Sequence, residues 1–338
     1  MYAKPRFWLI GCSLVVCFAS GCALDKKDDE ADAFREAVPQ KESVALAGPD
    51  SNGSASSSTA AVAPSLRTLG TTPTTQYAKW YGFTREMRHG VNQVTASVLG
   101  GVWTILHVAP TAISADSATW GPYTDALEPA SYRFSITRVA QDEYRYTLDG
   151  RPKASTNEAD FRTVLTGHGY GKPHALYGQG DFTIDLDAAK ALDPFAHADD
   201  SGTVHIDYEV PPDFFERKSA ATSTGTITAK VDPEGEAEYT VESVANHDRS
   251  GSIHVDAHVD IAESKDTKLE DVVIDSRWAA TGAGRADIDF TGGDLPSAIP
   301  MVDAVECWGT DFTQTYYNDS VAFSPTVGEE SACVYPSK

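Results

Sequence analysis

The sequence predicts a mainly β (α+β) protein: a large curved antiparallel meander sheet or incomplete barrel with one long helix packed on its apolar face. Three observations carry this. Beyond Pro110, apolar residues recur at every second position in run after run, the period of a half-buried strand. Short stretches rich in Gly, Asn, Asp and Ser separate the runs, as turns do. Only one sustained stretch, ahead of the strands, has the longer period of a helix.

That helix is the first element. Met87, Val91, Val94, Val98, Val102, Ile105 and Leu106 lie on one stripe of a 3.6-residue period. Thr84 offers an N-cap and Pro110 a stop, so the helix is expected over about 84–108. Gly100 and Gly101 each cost roughly 1 kcal/mol relative to Ala inside a helix, which predicts a close contact or a bend there. Val91, Val94, Val98, Gly100, Gly101 and Val102 are therefore the positions expected to face a ligand.

The strands follow. Tyr132, Phe134 and Ile136 alternate with polar residues, as do Val204, Ile206, Tyr208 and Val210; Ile227, Ala229 and Val231; and Ile253, Val255, Ala257, Val259 and Ile261. With runs such as EYRYTLDG, GDFTIDL, EDVVIDSRWAA and AVECWG, about a dozen strands are expected. No second helical pattern is long enough for parallel crossovers, so the sheet should be antiparallel. A flat sheet of that size would curl, which places the helix in its concavity. The arrangement resembles the half-barrel lipoproteins and lipoprotein carriers of bacterial envelopes. That resemblance implies an apolar or lipid ligand held between sheet and helix.

At the N-terminus, Lys4 and Arg6 precede an apolar run, Phe7 to Phe18, and then small residues, the three parts of an export signal. An uncleaved anchor helix is the alternative, because the run to Leu24 is near the minimum for spanning a ~30 Å hydrocarbon core. Ala19-Ser20-Gly21-Cys22 resembles the lipobox of bacterial lipoproteins; Ala19 stands where the family prefers Leu. Leu9-Ile10-Gly11-Cys12 also fits, but the apolar stretch before it is too short for a signal. The resemblance implies cleavage before Cys22, a diacylglycerol on its sulfur and an N-acyl chain, with no other cofactor. Two or more chains hold a protein firmly to a bilayer. Ala23, not Asp, follows Cys22, which by the same resemblance implies the outer membrane. The expected organisation is a signal peptide at 1–21, a lipidated disordered tether at 22–75, poor in bulky apolar residues, and a β-rich domain at 76–338.

Of the five cysteines, Cys12 and Cys17 would leave with the signal and Cys22 would carry lipid. Cys307 and Cys333 remain as a disulfide pair for an oxidising compartment. The net charge of −22 repels phosphate backbones, so no nucleic-acid partner is expected.

The sharpest chemical motif is HVDAHVD, where His254, Asp256 and His258 share one side of a strand. His254 and His258 would lie ~13 Å apart, so a metal would take one His, Asp256 and a donor such as His205, Asp207 or Asp275 from a neighbouring strand. The alternative is a solvated acidic face. GHGYGKPHALYGQG, residues 167–180, lacks the Gly-Lys-Ser/Thr of a phosphate loop and reads as a flexible hairpin connection. Asp185, Asp187, Asp193, Asp199 and Asp200 lack EF-hand spacing. HExxH, GxSxG and SxxK are all absent. These readings point to a non-enzymatic envelope lipoprotein that binds an apolar ligand. The alternatives are a structural or adhesive surface module without a cavity, and a metal-dependent hydrolase on the acidic strand face.

Overall fold

Among the described residues, fourteen antiparallel strands follow one another in strict chain order, β1 to β14, and the sheet they form does not close. The computed structural model describes residues 31–49, 76–172, 177–195, 201–211, 216–224, 238–259, 268–293 and 295–336. Cys22, the signal segment and residues 50–75 lie outside the described residues. The strands are β1 (Ala112–Ile113), β2 (Ser117–Tyr123), β3 (Ala130–Ala140), β4 (Glu143–Pro152), β5 (Arg162–Lys172), β6 (Tyr177–Asp185) and β7 (Thr203–Val210). They continue as β8 (Glu216–Thr224), β9 (Glu238–Asn246), β10 (Gly251–Val259), β11 (Glu270–Trp278), β12 (Gly284–Gly292), β13 (Met301–Trp308) and β14 (Gln314–Asp319). Alternation decides the two faces. On β7, Val204, Ile206, Tyr208 and Val210 are buried while the residues between them are more exposed.

The α-helices among the described residues are α1 (31–36), α2 (Lys41–Val44), α3 (Lys79–Leu106) and α4 (Leu186–Leu192). The long helix α3 has 28 residues and is about 42 Å long, whereas fourteen strands laid flat would span about 62 Å. Yet α3 reaches both ends of the order. Near its start, Trp80 stacks on Phe290 of β12 and Tyr81 packs against Trp308 of β13; elsewhere it packs on β2 and β3. The sheet must therefore curve around it.

Helix α3 starts earlier than Thr84. Its first amides are held by the carboxylate of Glu306 on β13, which accepts from Lys79 N–H at 2.7 Å, Trp80 N–H at 2.8 Å and Tyr81 N–H at 3.1 Å. A carboxylate there also meets the positive end of the helix dipole. Thr84 sits inside the helix and donates its hydroxyl to Trp80 O. The buried stripe is shifted too. It runs through Met87, Val91, Thr95, Leu99, Val102 and Leu106, whereas Val94 and Val98 are half-buried at its flank. Gly100 and Gly101 are exposed and open space surrounds them, so neither packs closely.

The expected tether is corrected more deeply. Ala31, Phe34, Ala37, Val38, Val44 and Leu46 are all buried. Residues 31–49 lie beside α3 in the concavity. Arg35 Nε donates to Leu106 O, Trp103 Nε1 to Pro39 O, and the Asn92 side chain bonds both the N–H and the C=O of Leu46. Partner positions on α3 fall as the segment's numbers rise, so the segment runs antiparallel to the helix. We call it the strap.

The disulfide expected from cysteine count is present: Cys307 on β13 bonds Cys333, 26 residues on. It holds the C-terminal segment over the outer face of β11–β13. Arg285, 1 % exposed there, bonds Asp287 and Glu330. Arg277 donates to Asp287 and to Pro336 O and lies over the Tyr335 ring.

Candidate functional site

The central strands carry two superposed rows, one on each face, and the register defines both. On the core face Gly169, Gly180, Tyr208, Ser219, Ser243, Ile253 and Ser276 are successive cross-strand partners from β5 to β11. Most of these are small, and the strap lies on this face. A side chain at Gly169 would strike the Ala37 carbonyl, and Ser243 Oγ accepts from Ala47 N–H at 3.0 Å. The segment expected as a flexible hairpin connection therefore forms β5 and β6, apart from residues 173–176, which lie outside the described residues.

On the outer face the matching row is His168, Asp181, Asp207, Ala220, Glu242, His254 and Asp275. This row crosses seven strands, about 29 Å at ~4.8 Å per step. An open groove of about 680 Å³ follows it, from Tyr170 on β5 to Arg277 on β11. Ala220 marks a low point between Asp207 and Glu242. Asp181, Asp207, Glu209, Glu242 and Asp275 supply five carboxylates, against the two cations of Lys218 and Arg277. Histidines pair with several of these acids: His168 with Asp181 at 3.5 Å, His205 with Asp207 at 3.2 Å and His254 with Asp275 at 2.9 Å. Beside the row, Thr166, Thr183, His205, Thr222 and Thr240 form a polar ladder in register.

The proposed metal trio is divided. His254 faces Asp275 across β10–β11, His258 faces Asp271 at 2.8 Å, and Asp256 faces Val273. Of the suggested donors, Asp275 meets His254, whereas His205 and Asp207 lie three strands away on β7. Among the described residues no three His, Cys, Asp or Glu come together to hold a metal ion. Asp185, Asp187 and Asp193 instead accept backbone N–H groups of Ala188, Gly202 and Phe195.

Of the helix positions expected to face a ligand, Gly100 and Gly101 are exposed and the four valines pack against protein. Val91 and Val102 are buried in the core, and Val94 and Val98 pack at its edge. Where the strap meets Tyr81, Ile253 and Trp278, the free space is about 10 Å³, room for one water at most. No described helix is long and apolar enough to cross a membrane.

Comparison with protein-family models, curated proteins and solved structures finds no match to this chain. The groove is the feature that sequence reasoning missed. Its signal was the outward half of each alternating run, where Asp, Glu and His recur at the same latitude once register is known.

Proposed function

We propose that the chain is a non-enzymatic envelope lipoprotein, held to its bilayer by acyl chains on Cys22, whose sheet domain binds a partner along the outer groove. The observation that carries this is the groove itself: about 680 Å³, continuous over seven strands, and lined by more carboxylates than cations. In a chain of net charge −22 such a groove suits an extended cationic partner, a basic peptide segment, by charge complementarity. The space between helix and sheet, where an acyl ligand was expected, is taken by the strap, which favours a surface site over a lipid cavity.

Two experiments test the reading. Calorimetric titration with hexa-arginine should show salt-sensitive binding that hexa-glutamate lacks, weakened at least tenfold by Ala220→Trp, which fills the low point of the floor. Equal binding by the variant sinks the groove. For the anchor, Cys22→Ser should move the protein from the membrane to the soluble fraction; retention at unchanged mass removes the lipid from the account.

A further inference from the structure

We infer that the trough between α3 and the sheet is a binding site for a peptide segment, and that residues 31–49, with their two short helices, are its ligand supplied in cis. The strap adds no strand to the sheet among the described residues. Its helical turns satisfy part of its backbone internally, and groups that belong to the trough reach other main-chain positions from the side. Asn92 Oδ1 accepts from Leu46 N–H at 2.8 Å while Asn92 Nδ2 donates to Leu46 O at 3.0 Å. Ser243 Oγ accepts from Ala47 N–H, Trp103 Nε1 donates to Pro39 O, and Arg217 donates to Glu42 O. These bonds read a main chain, while Phe34 and Leu46 supply buried apolar anchors. The small core-face row, Gly169 above all, makes room for the strap's backbone. This is how a groove holds a peptide.

Connectivity makes the strap separable. Pro49 O lies beside Gly282, which itself packs near Phe312. Phe312 O accepts from Ala78 N–H, and Gln76 O accepts from Gln314 N–H. The chain thus leaves the trough and enters α3 at the same corner. A cut within residues 50–75 would remove none of the contacts described for either part. If Cys22 carries the anchor, as proposed above, the domain would then hang from its membrane by the trough's grip on the strap alone.

The test places a site-specific protease sequence within residues 50–75 of the full chain. After cleavage, the N-terminal fragment should co-elute with the body in gel filtration while circular dichroism is unchanged. Excess synthetic peptide of residues 31–49 should displace it. Phe34→Asp with Leu46→Asp should shorten fragment retention at least tenfold, and Gly100→Ala, in open space on α3, should leave it unaltered. Prompt separation from a still-folded body overturns the inference, and so does unfolding on cleavage, which would make the strap an inseparable part of the core. Displacement by phospholipid vesicles but not by the peptide would also overturn it and return the trough to acyl chains. In membranes, the cut body should stay bound until peptide is added. An uncut chain found free of membranes would fail the lipid reading alone, because gel filtration still decides the strap.

Discussion

Glu306 is fully buried, and its four hydrogen bonds explain how it is tolerated. Burial pushes its pKa up, while N–H donors from Tyr81, Gln314, Lys79 and Trp80 pull the other way. All four partners donate, so an acceptor-only carboxylate fits. Glu306→Gln would turn an NH₂ group toward two donors. We expect a loss of about 2–3 kcal/mol in urea unfolding, since buried groups are left unpaired; a change within a few tenths of the wild type would deny Glu306 this role. Asp289 shows the opposite design. It faces Asp303 across β12–β13, and partial burial and then the shared hydrogen bond and charge of Asp303 raise its pKa. A raised folded pKa means that this group's contribution is fully present below the unfolded value, about 3.9, and is lost as pH rises through the folded value. Asp289→Asn should therefore stabilise the protein near pH 7, by roughly 0.2–1 kcal/mol for a like-charged cross-strand pair, and the gain should vanish near pH 3. A gain that persists at pH 3 would count against the pair. Neither residue's role was legible, because each depends on a strand register that a single sequence does not state.

At the scale of elements, the strands were legible because each has one dry face, and alternation records that directly. The helix was legible, although it starts five residues before the expected Thr84 and its buried stripe is turned by about one position. Val94 drew the stripe toward itself because it is more apolar than Thr95, and Val98 followed at the next turn, but Thr95 and Leu99 are the ones turned inward, and Thr84 lost the cap to Glu306, more than two hundred residues away. The strap was read as tether because its charged residues outnumber its large apolar ones. Its signal was there in two halves: Ala31, Phe34 and Ala37-Val38 at helical spacing, and glycine and serine on the dry face of strands that should carry bulk. Phe34 meets Tyr144 edge-on at 6.0 Å and is 1 % exposed. Phe34→Ala should destabilise by about 3–5 kcal/mol, the range for a buried phenylalanine, read as a lower urea midpoint at unchanged slope. An unaltered midpoint would show that residues 31–49 contribute no core. Gly169→Val should be nearly as damaging, since the Ala37 carbonyl already occupies the space.

For the whole molecule, curvature follows from size: a sheet this wide buries its apolar face against one helix only by bending around it, and the strap fills what the helix leaves. The outer face then bears the acidic rows, and the C-terminal segment closes one end of their groove at Arg277. The Cys307–Cys333 bond ties that segment covalently to β13, beside the Tyr317–Val327 bridge, the Arg285–Glu330 pair and the contacts of Arg277 with Pro336 and Tyr335. Closing a loop of 26 residues contributes roughly 3–4 kcal/mol by the chain-entropy model. Replacing both cysteines by serine should lower urea stability by that order and, in addition, free Arg277 from Pro336 and Tyr335. The second effect separates a local clasp from a general staple. If the segment only clasps the groove's end, hydrogen exchange should rise in β11–β13 and residues 320–336 while β3–β7 keep their protection. A uniform rise across all fourteen strands would mean that the bond stabilises the sheet as one unit, and the groove's end would then owe nothing special to it.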